Sequence, residues 1–358
     1  MAGVDWRNLY AANQAEIARA GIPVAGRVNG PLPATPAANV NGRAPVGGLA
    51  SEWGRRGGRA LVHVPRGLDR ERSVALVCML HGCTQDPSSF AAATLMNDAA
   101  DRHGFVVVYP GQDRGKNAQG CWNWFLPEHQ RRGAGEPAVI AGVVRELIEL
   151  SPECTIDPGR VFVAGLSSGG AMACILAACY PELFAAVAVH SGLAYGAASN
   201  VASAYEAMAR GSGNADVLGH AAHAAMGQHA RPVPSIVIYG NADRTVAPVN
   251  AIEVLRQSMT ANNLAAPETC DHDTARPTTS RRSHVEGGHR YTSSQWVDRR
   301  GAVMHELIEV DGLAHAWSGG AAGGSYTDPR GPSATEAIAT FFELTAATRL
   351  SDRSPIKA

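Results

Sequence analysis

Apolar residues in this chain fall into short continuous runs set between helix-spaced segments. Val74–Leu80 reads Val-Ala-Leu-Val-Cys-Met-Leu with no polar position and ends in His81-Gly82. Such a run fits a strand buried on both faces, as in a parallel sheet. Residues 105–110, 160–165, 185–190, 235–239 and 303–310 predict further strands, and 60–64 alternates like one. Between them, Val139, Ile140, Val143, Val144 and Leu147 recur at helical spacing. A second helix is expected over 171–179, with Pro181 beyond its end. Ser333 and Glu336 form a capping box that opens a final helix carrying Ile338, Phe341, Phe342 and Leu344.

Strands alternating with helices indicate an α/β fold, a mostly parallel sheet with helices on both faces. Two polar or small-residue stretches, 196–230 and 262–300, interrupt the alternation. They read as loop insertions at the ends of the sheet, where substrate-shaping elements are usually found. Residues 1–55 are rich in Ala, Gly, Pro and Asn, and only 6–20 look helical. They read as an irregular N-terminal arm preceding one domain over 56–350.

Composition narrows the function classes. The 358 residues are 45% hydrophobic and 18% charged, which suits a globular chain with a large core. The net charge of −1 gives no basic field of the kind nucleic-acid binding needs. The arginine pairs 131–132, 281–282 and 299–300 read as solvated loop charge. Residues 171–189 are apolar but broken by Tyr180-Pro181-Glu182, too short on either side for the ~20 apolar residues of a membrane span. Asp5, Arg7, Glu16 and Arg19 stand where a secretory signal would need an apolar core, so a cytoplasmic protein is expected. There are seven cysteines and no C-x-x-C pair, so neither structural zinc nor thioredoxin-like chemistry is expected. Cys174 and Cys179 read as buried small hydrophobes. Cys121 could pair with Cys83 or Cys154.

The strongest chemical signal is Gly165-Leu166-Ser167-Ser168-Gly169, a G-x-S-x-G lying between a predicted strand and a predicted helix. A nucleophile there sits on a sharp, strained turn, and the residues two before and two after it must be small. Ser167 has glycine at both positions; Ser168 has Leu166 at one. The register selects Ser167. A serine needs a base, and the base an orienting carboxylate, in the chain order Ser, Asp or Glu, His. Asp243 follows the strand 235–239 and is preferred to Asp216, Asp271, Asp273 and Asp298, which fall in the insertions. Asp311 stands too close in sequence to the candidate base. His315 follows the last strand and is preferred to His305, inside that strand, and to His284 and His289 in the second insertion. The loop after strand 74–80, His81-Gly82-Cys83-Thr84-Gln85, stands where an oxyanion loop belongs. The N–H groups of Cys83 and Ser168 are the expected oxyanion donors.

Five segments together resemble the poly(3-hydroxybutyrate) depolymerase-type esterase family. They are His81-Gly82-Cys83-Thr84-Gln85, Cys121-Trp122-Asn123-Trp124, Gly165-Leu166-Ser167-Ser168-Gly169-Gly170-Ala171-Met172, His190-Ser191-Gly192 and His315-Ala316-Trp317-Ser318-Gly319-Gly320. The resemblance covers about residues 57–345. It implies an α/β-hydrolase fold and a serine esterase that works through an acyl-enzyme with no metal or organic cofactor. The implied substrate is poly(3-hydroxybutyrate) or its oligomers, with feruloyl or acetyl esters of polysaccharide as the alternative. With the oxyanion loop ahead of the serine, the chain is most similar to intracellular members, so it is expected in the cytoplasm or at polymer granules. Trp317, Trp122, Trp124 and Gln85 are the expected substrate contacts, with core packing the competing role for the tryptophans. A catalytically silent binding protein on the same fold is the rival from another class.

Overall fold

The computed structural model describes residues 48–49, 59–65, 68, 71–151 and 154–352. The arm and its expected helix lie outside these residues, except for Gly48–Leu49. That pair forms a short strand, β1, antiparallel to β2 (Arg59–His63), so the sheet begins inside the segment expected to be irregular.

Six parallel strands form the centre: β4 (Val106–Gly111), β3 (Val74–Leu80), β5 (Ile156–Leu166), β6 (Ala186–His190), β7 (Ser235–Gly240) and β10 (Val303–Val310), adjacent in that order. The ends are antiparallel: β1 and β2 flank β4, while β9 (Arg290–Val297) and β8 (Thr279–His284) flank β10.

Side-chain parity along these strands builds two cores. Leu76, Cys78, Leu80, Val106, Val108, Val187, Val189 and Val237 point to one face. There they meet α3 (Gly135–Leu150), α4 (Ser168–Cys179) and α7 (Val249–Ala265). Val77, Met79, Val107, Phe162, Ala164, Ile236 and Ile238 point to the other face. That face is covered by α1 (Pro87–Thr94), α2 (Met96–His103) and α8 (Ala334–Asp352), with Phe162 stacked on Phe342 at 4.4 Å. Two covered faces explain why the strands read as unbroken apolar runs. Helix α4 is buried along its whole length, which its Gly- and Ala-rich, wholly uncharged sequence permits.

Both predicted insertions are more ordered than loops. Residues 196–230 contain α5 (Val201–Arg210) and α6 (Ala215–Met226), each opened by an asparagine. Asn200 accepts the Ser203 N–H while the Ser203 hydroxyl accepts the Asn200 N–H, and Asn214 accepts the Val217 N–H. Residues 262–265 complete α7, and β8 and β9 extend the sheet as a hairpin. Arg281 and Arg282 therefore lie on an exposed edge strand rather than in a loop. Charge at such an edge opposes pairing with another chain.

Candidate active site

Ser167 stands between β5 and α4 with φ 57° and ψ −119°, a conformation that L-residues rarely adopt. Such strain persists only where the surroundings impose it. Here the Ser167 N–H is held by the His190 carbonyl at 2.9 Å, and its own carbonyl accepts from Ala171. Strand and helix pass so closely that a Cβ at Gly165 would lie 2.3 Å from Gly169, and one at Gly169 would lie 2.1 Å from the Leu80 carbonyl oxygen. The two glycines that chose the register are thus required by contact.

Asp243 and His315 come together across two laced loops. Asn241 N–H donates to the Val310 carbonyl, Ala242 N–H to the Leu313 carbonyl and Gly312 N–H to Asn241 Oδ1. His315 Nδ1 lies 2.7 Å from Asp243 Oδ2, and both side chains are buried. Asp243 Oδ1 accepts the N–H groups of Thr245 and Val246, each at 2.9 Å. A carboxylate accepts and does not donate, so the proton between the pair belongs to Nδ1 and the lone pair is left on Nε2. Asp311 bonds Asn241 instead of His315, and His289 pairs with Asp328. His305 is buried between Ser235 and Asn262.

The loop after β3 turns at Cys83. Gln85 N–H reaches the Gly82 carbonyl, Gly82 N–H donates to Gln85 Oε1, and Thr84, with φ 65°, donates its N–H to Gln119. Cys83 is disulfide-bonded to Cys121. Among the described residues the N–H groups of Cys83 and Ser168 meet no protein acceptor. His81 clamps the same loop. Its Nδ1–H donates to the Gly82 carbonyl, Nε2 accepts the Gln112 N–H, and its carbonyl accepts Trp122 Nε1–H. Burial holds the His81 pKa below the usual histidine range, which keeps the ring neutral.

A cleft of about 310 Å³ opens on Ser167, Ser168 and Cys83. Trp124, Phe125, Leu193 and Val246 line it, joined by Val201, Ala204 and Met208 from α5. The first insertion thus shapes the cleft, while none of the described lining residues comes from the second. The polar rim is formed by Asn117, Gln119 and Asn123. Buried Glu136 orders this rim by accepting from the Asn123 N–H, Asn123 Nδ2 and Gln112 Nε2. Burial pushes its carboxyl up, but His129 first, then Gln112 and the Asn123 N–H, together hold it below the usual range.

Three expected substrate contacts are not in this cleft. Trp317 is buried in the second core, edge-on to Phe90, stacked on His190, with Nε1–H donated to Thr335. Trp122 is buried, and its Nε1–H is taken by His81. Gln85 is buried, with its oxygen on Gly82 and its nitrogen on the Ser325 carbonyl. In each case burial and an occupied polar group leave nothing for a ligand to meet. Trp124 does line the cleft. The apolar residues that line it beyond Trp124 had no motif to mark them. For Val201, Ala204 and Met208, the one sequence signal was the Asn200 cap of α5.

Disulfides persist in oxidising compartments and are rare in the cytosol, so Cys83–Cys121 runs against the cytoplasmic expectation. Among the described residues no helix is long and apolar enough to cross a membrane. No group of three or more His, Cys, Asp or Glu among the described residues could hold a metal ion. The other five cysteines are buried and lie outside any disulfide, as expected for Cys174 and Cys179.

Among known proteins, the chain is 37% identical over 197 residues to poly(3-hydroxyalkanoate) depolymerase C of Paucimonas lemoignei, covering 54% of this chain and 46% of the relative. It is 36% identical over 130 residues to feruloyl esterase B of Neurospora crassa, covering 36% of this chain and 43% of the relative. A probable acetylxylan esterase A of Neosartorya fischeri is 31% identical over 204 residues, 55% of this chain and 53% of the relative. The chain thus spans about half the length of these relatives. The solved acetyl xylan esterase from Aspergillus awamori shares the fold, with a TM-score of 0.63 at 22% identity over 80% of this chain and 94% of that one. Residues 59–286 match the family described as Esterase PHB depolymerase, well over half the sequence, and the chain belongs to that family.

Proposed function

We propose that this protein hydrolyses the ester bonds of poly(3-hydroxybutyrate), or of its oligomers, through an acyl-enzyme. Ser167 Oγ attacks the carbonyl carbon while His315 Nε2 takes its proton. Asp243 holds the imidazole in the tautomer that leaves Nε2 free. The N–H groups of Cys83 and Ser168 receive the developing oxyanion, each donor lowering the barrier by on the order of 3 kcal/mol. His315 then protonates the departing alkoxide. Water, deprotonated by the same imidazole, releases the acid and restores the serine.

The observation that carries the substrate reading is the cleft itself. It opens on Ser167 and is walled by Trp124, Leu193, Met208 and Val246, apolar surface that suits a methyl-bearing, uncharged polyester. The poly(3-hydroxyalkanoate) depolymerase relative supports a polyester substrate of this class. The feruloyl and acetylxylan esterase relatives keep a second reading in play, esters of plant polysaccharide. The Cys83–Cys121 bond favours work in an oxidising compartment.

Rates on amorphous poly(3-hydroxybutyrate), soluble 3-hydroxybutyrate oligomers, methyl ferulate and acetylated xylan separate these readings. The account expects the first two to be hydrolysed faster. Activity confined to feruloyl or acetyl esters would replace the polyester reading with the second.

A further inference from the structure

His190 ends β6, is fully buried, and has no part in the chemistry proposed above. We infer that His190 is a positioning residue that ties the nucleophile's turn to the loop carrying the base. The inference rests on the assignment of Ser167 and His315 to those roles.

The two ends of this residue hold different loops. Its carbonyl accepts the Ser167 N–H at 2.9 Å, at a turn where the serine's φ is positive. Its Nε2 accepts the Ser318 N–H at 3.1 Å, three residues past His315 and 128 residues away in sequence. Since Nε2 accepts, Nδ1 bears the proton and donates to Ser191 Oγ at 3.2 Å. The ring stacks on Trp317 at 5.1 Å, and Trp317 is itself fixed through Thr335, Phe90 and the Tyr326 carbonyl. Burial first, and His315 nearby second, push the His190 pKa down to about 3, so the accepting lone pair stays available at neutral pH. The His-Ser-Gly and His-Ala-Trp-Ser segments, far apart in the chain, therefore meet as one joint beneath the site.

An apolar ring at 190 would keep the stack on Trp317 but strand the Ser318 N–H in the interior. An unsatisfied buried donor is costly, and the His315 loop relieves it by moving. A shift of ~1 Å in a catalytic group costs about 10²-fold in rate.

The test compares His190→Phe and His190→Gln in the full chain with 4-nitrophenyl butyrate. The glutamine carbonyl reaches the place of Nε2 and accepts; phenylalanine does not. His190→Phe is expected to lower kcat about 100-fold with KM within about twofold, and His190→Gln to recover about tenfold of that loss. Phosphonate labelling of wild-type Ser167 checks the underlying assignment separately. Wild-type kcat in His190→Phe overturns the inference, and so does an equal loss of kcat and melting temperature in both variants. Should His190→Phe fail to fold, His190→Asn, whose carbonyl stops short of the Nε2 position, takes its place. An advantage of Gln over Asn supports the joint, and equal rates overturn it.

Discussion

Cys83 and Cys121 join the loop that presents one proposed oxyanion donor to the loop that carries Trp124, a wall of the cleft. The bond closes 38 residues of chain. Opening it releases both loops at once. Cys121→Ser, or reduction of the native protein, is expected to cost about 2–4 kcal/mol of stability. A slackened Cys83 N–H should also lower kcat by about 10-fold or more, short of the loss from deleting an oxyanion donor. Urea unfolding and 4-nitrophenyl butyrate kinetics with and without reductant measure both. Unchanged kcat in the reduced protein would show that Cys83 is placed by the turn alone.

Gly240 and Leu313 touch where the Asp243 and His315 loops cross. A Cβ at Gly240 would lie 1.9 Å from the Leu313 carbonyl oxygen, a backbone atom that cannot swing aside. Gly240→Ala must separate the two loops, so kcat should fall by about 100-fold. The overpacking should cost about 1–3 kcal/mol. Near-native kcat in this variant would mean that the Asp243–His315 contact tolerates the shift.

Trp317 and Met208 should respond differently to truncation. Trp317→Ala leaves a hole under His190 and should destabilise by about 3–5 kcal/mol, lowering rates on short and long esters alike. Met208→Ala, on the cleft wall, should raise KM for 4-nitrophenyl octanoate more than for the acetate while leaving the melting temperature close to wild type. A chain-length effect confined to Trp317→Ala would move the acyl site away from α5.

Acid should weaken the fold through histidines held neutral by burial. His81, His190, His272 and His305 all have pKa values lowered by desolvation, His190 to about 3 and His305 well below the usual range. A group whose pKa is lower folded than unfolded contributes stability above its unfolded value, near 6.5, that is lost as pH falls toward its folded value. Each histidine that stays neutral while the unfolded chain protonates removes about 1.4 kcal/mol per pH unit. Urea unfolding at several pH values below 6.5 should show this slope, and His305→Gln should flatten it. Stability that stays level across that window would mean these rings gain protons in the folded protein.

The parallel sheet and the tight turn at Ser167 were legible because their physics is local. Val74–Leu80 is a seven-residue apolar run, which fits a strand covered on both sides, and Gly165 and Gly169 mark a turn where backbones touch. Asp243 and His315 could be singled out as a pair because each follows a strand whose apolar run is unmistakable, and their side chains do meet. The tryptophans could not be sorted, since a buried indole and a cleft-lining one have the same neighbours in sequence. Only three dimensions distinguish Trp122, capped by the His81 carbonyl, from Trp124, two residues on. Strand β8 escaped notice because Thr-Ser-Arg-Arg-Ser-His is polar on both faces, as an exposed edge allows. The partner of Cys121 depended on a contact between separate loops that no spacing encodes.

The residue to which a serine-directed phosphonate attaches identifies the nucleophile. Intact-mass spectrometry after titration with an alkyl fluorophosphonate, followed by peptide mapping, reads both stoichiometry and position. The account predicts one adduct per chain, on Ser167, forming in step with loss of ester hydrolysis and absent from His315→Ala over the same period. An adduct on Ser168, or hydrolysis that survives full modification of Ser167, would contradict it.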